Sequence, residues 1–275
     1  MSVKMKLYLV CLLVLLFAAC AAPNDLPGVR VVGGGDAAPG QFTYQASVQY
    51  CFLGACSHAC GGAIIGSLWV LSAAHCITQA PALGSYQILV GVLNLDDENP
   101  ERQLHRVNYA IIHPEYGGGN ADPHDLAIFR LATPLTFSSM IRPISLPDQD
   151  EIFEDDAVLS GWGSTSGTII PEMPNTLQFV EVPIIVPKTC KQALDAIIGD
   201  APNPLDLKAN ICTGPLTGGV AICSGDSGGP LADLRGETLI GIATWTANPC
   251  GRPGAPSVYN RVSYYTRWIR NSISV

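Results

Sequence analysis

The chain has 275 residues, 48% of them hydrophobic and 14% charged, with a formal net charge of −8. That length and apolar fraction support a buried globular core and exclude disorder as the dominant state. The acidic balance also makes nucleic acid an unsuitable partner.

At the N-terminus, Lys4 and Lys6 precede an uncharged apolar run of thirteen residues, 7–19, followed by small residues to Ala22. A basic start, a short apolar run and a small-residue exit read as a secretory signal peptide over 1–22. A bilayer-spanning helix needs about 20 apolar residues, so a membrane anchor is not expected. Short β-rich runs follow at 44–50, 63–71, 86–92, 126–131, 157–161, 177–186 and 239–245, separated by Gly, Pro, Asn and Asp. Such spacing predicts an all-β protein of antiparallel barrels or sandwiches. Two stretches have helical periodicity, 189–198, closed by Gly199, and 262–273. The polar, proline-containing stretch 143–150 divides the chain into two similar halves.

Of ten cysteines, Cys11 and Cys20 fall in the leader, which leaves Cys51, Cys56, Cys60, Cys76, Cys190, Cys212, Cys223 and Cys250. An even number in an exported chain favours disulfides. Zinc at Cys51, Cys56, His58 and Cys60 is disfavoured, because no second ligand pair sits at matching spacing.

The segment Gly225-Asp226-Ser227-Gly228-Gly229-Pro230 carries the strongest chemical signal. A serine hydroxyl attacks only when a base takes its proton, and the oxyanion that results needs donors aimed at it. By itself the segment also fits the nucleophile turn of α/β-hydrolases, in which the acid and then the histidine follow the serine. Here no histidine follows His124, which removes that reading. Subtilisin order needs the acid before the histidine, and before His75 only Asp25 and Asp36 are acidic. The remaining order is histidine, aspartate, serine. His75, within Leu71-Ser72-Ala73-Ala74-His75-Cys76, is the candidate base, since a cystine beside it would clamp its backbone. Asp125, at the mouth of the apolar strand 126–131, is the candidate acid that orients the imidazole. His58, His105, His113 and His124 are read as structural, with His58 a candidate hydrogen-bond partner in the precursor, and Asp122 as a solvated turn residue before Pro123.

With these residues in place, the sequence resembles the chymotrypsin family of serine proteases, the trypsin, chymotrypsin and elastase type, over 31–275. The matching motifs are Val31-Val32-Gly33-Gly34, Ala73-Ala74-His75-Cys76, Asp125-Leu126-Ala127, Gly161-Trp162-Gly163 and Gly225-Asp226-Ser227-Gly228-Gly229-Pro230. The resemblance implies two six-stranded antiparallel β-barrels, about 31–142 and about 151–260, and a C-terminal helix at about 262–273. His75 and Asp125 would come from the first barrel and Ser227 from the second. It further implies bridges Cys60 to Cys76, Cys190 to Cys212 and Cys223 to Cys250, which leaves Cys51 and Cys56 to pair locally.

By the same resemblance Arg30-Val31 is an activation site and 23–30 a propeptide, with the new ammonium of Val31 pairing with Asp226. The amides of Gly225 and Ser227 would form an oxyanion hole. Ala221, Thr246 and Ser257 would line the primary specificity pocket. An alanine there cannot pair with lysine or arginine, and side chains larger than glycine on the walls imply an elastase-like preference for small or medium uncharged residues, with an aromatic preference as the alternative. Expected partners are protein and peptide substrates, an activating trypsin-like protease and protein protease inhibitors, for a secreted, monomeric, digestive enzyme. A non-catalytic homologue acting as a binding module is the other class of reading. No cofactor or metal is expected; Asp96, Asp97, Glu98 and Glu101 are read as a solvated acidic turn rather than a calcium loop.

Overall fold

A computed structural model of the chain describes residues 34–119, 121–168 and 170–274; the leader, the propeptide, Arg30 and Val31 lie outside them. The first half holds a closed barrel of β2 (Gln45–Phe52), β3 (Ala55–Gly66), β4 (Trp69–Ser72), β5 (Ser85–Val90), β6 (Gln103–Ile112) and β7 (Ala127–Leu131), in the order β2-β3-β4-β7-β6-β5. Every ladder in it is antiparallel, and pairing of β2 with β5 closes the ring. Alternate residues of each strand point inward, so Val48, Ile64, Val70, Ile88, Phe129 and Leu131 fill the interior and are fully buried. Cys51 and Cys56 face each other across β2 and β3 and are joined by a disulfide, which clips the hairpin whose tip holds Leu53 and Gly54 at positive φ.

The second half forms one antiparallel sheet of eight strands. It comprises β1 (Gly35–Asp36), β8 (Ala157–Gly161), β9 (Gln178–Val182), β10 (Ile184–Ile185), β11 (Asn210–Thr213), β12 (Pro230–Asp233), β13 (Leu239–Thr246) and β14 (Ser257–Arg261), in the order β1-β9-β8-β12-β13-β14-β11-β10. Six strands of four or more residues stand between two-residue edge strands, and among the described residues no ladder closes the ring. This is the chymotrypsin fold, with one closed barrel and one open at its ladder. Helices α1 (His75–Thr78), α2 (Pro187–Ile198) and α3 (Val262–Ile273) complete it. Proline opens α2 because its fixed φ suits the first helical position, and Gly199 at φ 67° ends it.

The predicted run 63–71 is a hairpin rather than one strand, since the chain turns at Ser67 and Leu68 between β3 and β4. The run 177–186 is likewise split, because Pro183 has no N–H to give to a ladder. The two halves meet backbone to backbone at Gly61 and Gly229. A Cβ built on Gly61 would stand 2.6 Å from Gly229 Cα, and the Gly61 N–H donates to Ser227 C=O at 2.8 Å. Ser160 Oγ donates to Gln45 Oε1 across the same seam at 2.7 Å.

Candidate active site

His75 opens α1 directly after β4, and a disulfide from Cys76 to Cys60 ties that turn to β3. Asp125 stands two residues before β7, which pairs with β4, so the ladder brings residues 50 apart in sequence side by side. The carboxylate of Asp125 is fully buried and has three partners. Oδ1 accepts the His75 backbone N–H at 2.8 Å, while Oδ2 accepts His75 Nδ1–H at 2.6 Å and the Thr244 hydroxyl at 2.7 Å. Its own C=O accepts Asn260 Nδ2–H at 2.6 Å. A buried carboxylate satisfied on every side is held in one orientation, and it fixes the imidazole with Nδ1 protonated and Nε2 bare.

Ser227 lies on the loop before β12. It shares a cleft of about 300 Å³ with His75, Ile222, Thr244, Trp245 and Thr246. The loop's backbone is pinned, since Asp226 N–H donates to Cys223 C=O at 2.9 Å, Gly228 N–H to Ala243 C=O at 2.7 Å and Gly229 N–H to Asp226 C=O at 2.8 Å. Among the described residues no acceptor takes the N–H of Gly225 or of Ser227. Gly225 at φ 95° and Gly228 at φ 75° occupy backbone conformations that side chains rarely adopt.

The carboxylate of Asp226 is sealed inside, where it accepts N–H bonds from Gly163 at 3.0 Å and Cys223 at 2.9 Å. Burial dominates over those two bonds and pushes its pKa up from 3.8 to about 7. Gly161 and Gly163 wrap this group so closely that a Cβ on either would fall on the carboxyl, which is the physical reason for the Gly-Trp-Gly motif. Gly163→Ala is therefore expected to destabilise the protein by about 1–3 kcal/mol, the usual cost of overpacking, measured as a lowered urea midpoint.

The residues expected to line a specificity pocket sit at different depths. Thr246 lines the cleft, with its hydroxyl donating to Pro256 C=O at 3.1 Å. Ala221 and Ser257 lie behind it, 1% and 2% exposed, and Ser257 Oγ accepts the N–H of Ile222, which does reach the cleft. Ala221 packs against Cys223 and Cys250, and these two are bridged, as are Cys190 and Cys212. Asp97 and Asp96 engage Asn94 N–H and the Asn175 amide, respectively.

Three contributors escaped the sequence reading. Thr244 and Asn260 hold Asp125, and Ser47 donates its hydroxyl to His58 Nδ1 at 2.8 Å. Burial lowers the His58 pKa, so its neutral ring accepts from Ser47 and donates from Nε2 to Gly225 C=O at 3.1 Å. His58 thereby braces the loop that carries the nucleophile candidate. A threonine or asparagine in a strand carries no signal of such a role until the ladder places it.

A family model described as Trypsin matches residues 31–269. Trypsin-1 from Astacus astacus is 35% identical over 248 residues, which span 87% of this chain and 98% of that protein.

Proposed function

The chain belongs to the trypsin family of serine proteases, and from that premise we propose a secreted endopeptidase, made inactive and activated by cleavage after Arg30, with His75, Asp125 and Ser227 as its triad. The observation that carries this reading is the 2.6 Å His75–Asp125 pair opening on the same cleft as Ser227.

In this reading the bare Nε2 of His75 takes the proton of Ser227 Oγ as that oxygen attacks a peptide carbonyl carbon, and Asp125 stabilises the imidazolium so formed. The carbonyl π pair moves onto its oxygen, which the N–H groups of Gly225 and Ser227 receive; such a donor is worth about 3 kcal/mol of barrier. His75 then protonates the leaving amine as the C–N bond breaks. Water, deprotonated by the same imidazole, hydrolyses the acyl-serine, and the proton returns to Ser227.

Cleavage at Arg30 frees an ammonium at Val31, which pairs with Asp226. In support, Asp226 is buried between Gly161 and Gly163, and no cation among the described residues faces it. Secretion is supported by the leader sequence and by four disulfides, which persist in oxidising compartments. Protein substrates, an activating protease that cuts after arginine, and protein inhibitors are the partners this chemistry implies.

The primary pocket takes small or medium uncharged side chains, because Ala221 behind the cleft offers no counter-charge, Thr246 narrows its wall, and Ser257 backs that wall through Ile222. After processing, peptides with alanine, valine or leucine before the cut bond are expected to have the highest kcat/KM. The lysine peptide should fall roughly 100-fold or more below them, because its ammonium would be buried unpaired. Steady-state rates on matched alanine, valine, leucine, phenylalanine and lysine substrates decide this. A dominant lysine substrate overturns the pocket assignment, and a dominant phenylalanine substrate replaces it with the aromatic one.

A further inference from the structure

Between β6 and β7 the chain makes a loop, 113–126, whose neck is closed by the His113 N–H donating to Leu126 C=O at 2.9 Å. His113 stands on one side of this neck and His124 on the other. Their ring centroids are 5.1 Å apart with planes within 13°. Glu115 joins them, and one ligand atom from each of the three residues lies within 4.8 Å of the other two. From these residues we infer a binding site for a divalent transition-metal ion, zinc foremost, that staples the neck of the loop carrying Asp125.

The donor set suits such an ion. Two imidazoles and a carboxylate form a three-ligand zinc site, with water in the fourth position. Ligand atoms about one tetrahedral zinc stand about 3.4 Å apart at Zn–N distances of about 2.0–2.1 Å. The exposed Glu115, on a turn, can close that remaining gap by side-chain rotation. His113 is 7% exposed, so a ligand there is already shielded from bulk water. His124 already has outer support, while His113 Nδ1 accepts the Glu115 N–H at 3.3 Å, a bond that coordination through Nδ1 would replace. His124 Nδ1 is 3.1 Å from Tyr265 Oη, a hydroxyl able to accept the Nδ1 proton when Nε2 is coordinated, and Trp268 covers His113 at 4.7 Å. His124 also holds a positive φ of 64°, a conformation that costs energy unless its surroundings impose it.

The test is a titration of tag-free full-length protein, carrying Ser227→Ala to prevent self-cleavage, with Co²⁺ followed by visible absorption and with Zn²⁺ followed by calorimetry. One equivalent should bind, with Zn²⁺ displacing Co²⁺ and raising the thermal midpoint. His113 is buried and its replacement threatens folding, so the variants are Glu115→Gln, His124→Gln and Tyr265→Phe, each checked for an unchanged urea midpoint without metal. Tyr265→Phe should weaken binding about 10–100-fold, the usual effect of losing an outer-shell partner, and each ligand variant at least as much. His75→Ala should leave the affinity intact. Failure to bind one equivalent, unchanged affinity in either ligand variant, or loss of binding in His75→Ala overturns the assignment.

Discussion

Ser227→Ala is expected to lower kcat on the best peptide substrate by about a million-fold, as removal of an activated serine does in comparable triads. The substitution is local. The backbone of Ser227 gives its C=O to Gly61 N–H, a bond alanine keeps, and the residue is only partly buried in the cleft, so the fold loses one hydroxyl and no packing. The urea midpoint should stay within experimental error of the parent. His75→Ala should cost a similar factor, and the double variant little more, because without a base the hydroxyl is not activated and without the hydroxyl the base has nothing to deprotonate. Steady-state kinetics on the processed protein, paired with denaturation curves, check both halves. Turnover within tenfold of the parent would remove Ser227 from the reaction.

What could be read ahead of the structure was whatever chemistry wrote into contiguous residues. The glycines around Ser227, the cystine beside His75 and the aspartate heading an apolar strand each announce themselves within about half a dozen positions. Chain order alone distinguishes a histidine, aspartate, serine arrangement from the orders of other serine hydrolases. What stayed hidden depends on partners far along the chain. Thr244 meets Asp125 across 119 positions and Asn260 across 135, and only the pairing of β13 with β14 and of β4 with β7 turns these ordinary polar residues toward it. The strand β6 was also missed, because His105, Arg106 and Asn108 interrupt its apolar pattern on a partly exposed face, and its long ladders to β5 and β7 outweigh weak local propensity. His113 and His124 looked like isolated structural histidines because eleven residues separate them; the neck of the loop makes them neighbours.

The uncleaved chain is expected to lose about 4 kcal/mol of unfolding free energy between pH 4 and pH 7 through Asp226 alone. The folded protein holds this carboxyl at about 7 against an ordinary 3.8, because burial penalises its charged form more than the N–H bonds from Cys223 and Gly163 reward it. Below about pH 4 the group is protonated whether the chain is folded or not, and its contribution to stability is fully present. As pH rises, the unfolded chain releases the proton while the folded chain retains it. Folding is then disfavoured by about 1.4 kcal/mol per pH unit until the folded group ionises near pH 7. The comparison that isolates it is Arg30→Gln, which blocks the proposed cleavage, against Arg30→Gln with Asp226→Asn. Asparagine meets the two N–H donors with one oxygen and so lowers stability at every pH, but it removes the slope, and the difference in slope between the two profiles from urea unfolding is the quantity to read. Once the parent chain is cleaved, an ammonium from Val31 beside Asp226 favours the carboxylate, so the loss between pH 4 and pH 7 should vanish and reappear only where the amine gives up its proton. A profile for Arg30→Gln that matches the cleaved protein would mean that the buried carboxylate is already neutralised before processing, and activation would then need a different trigger.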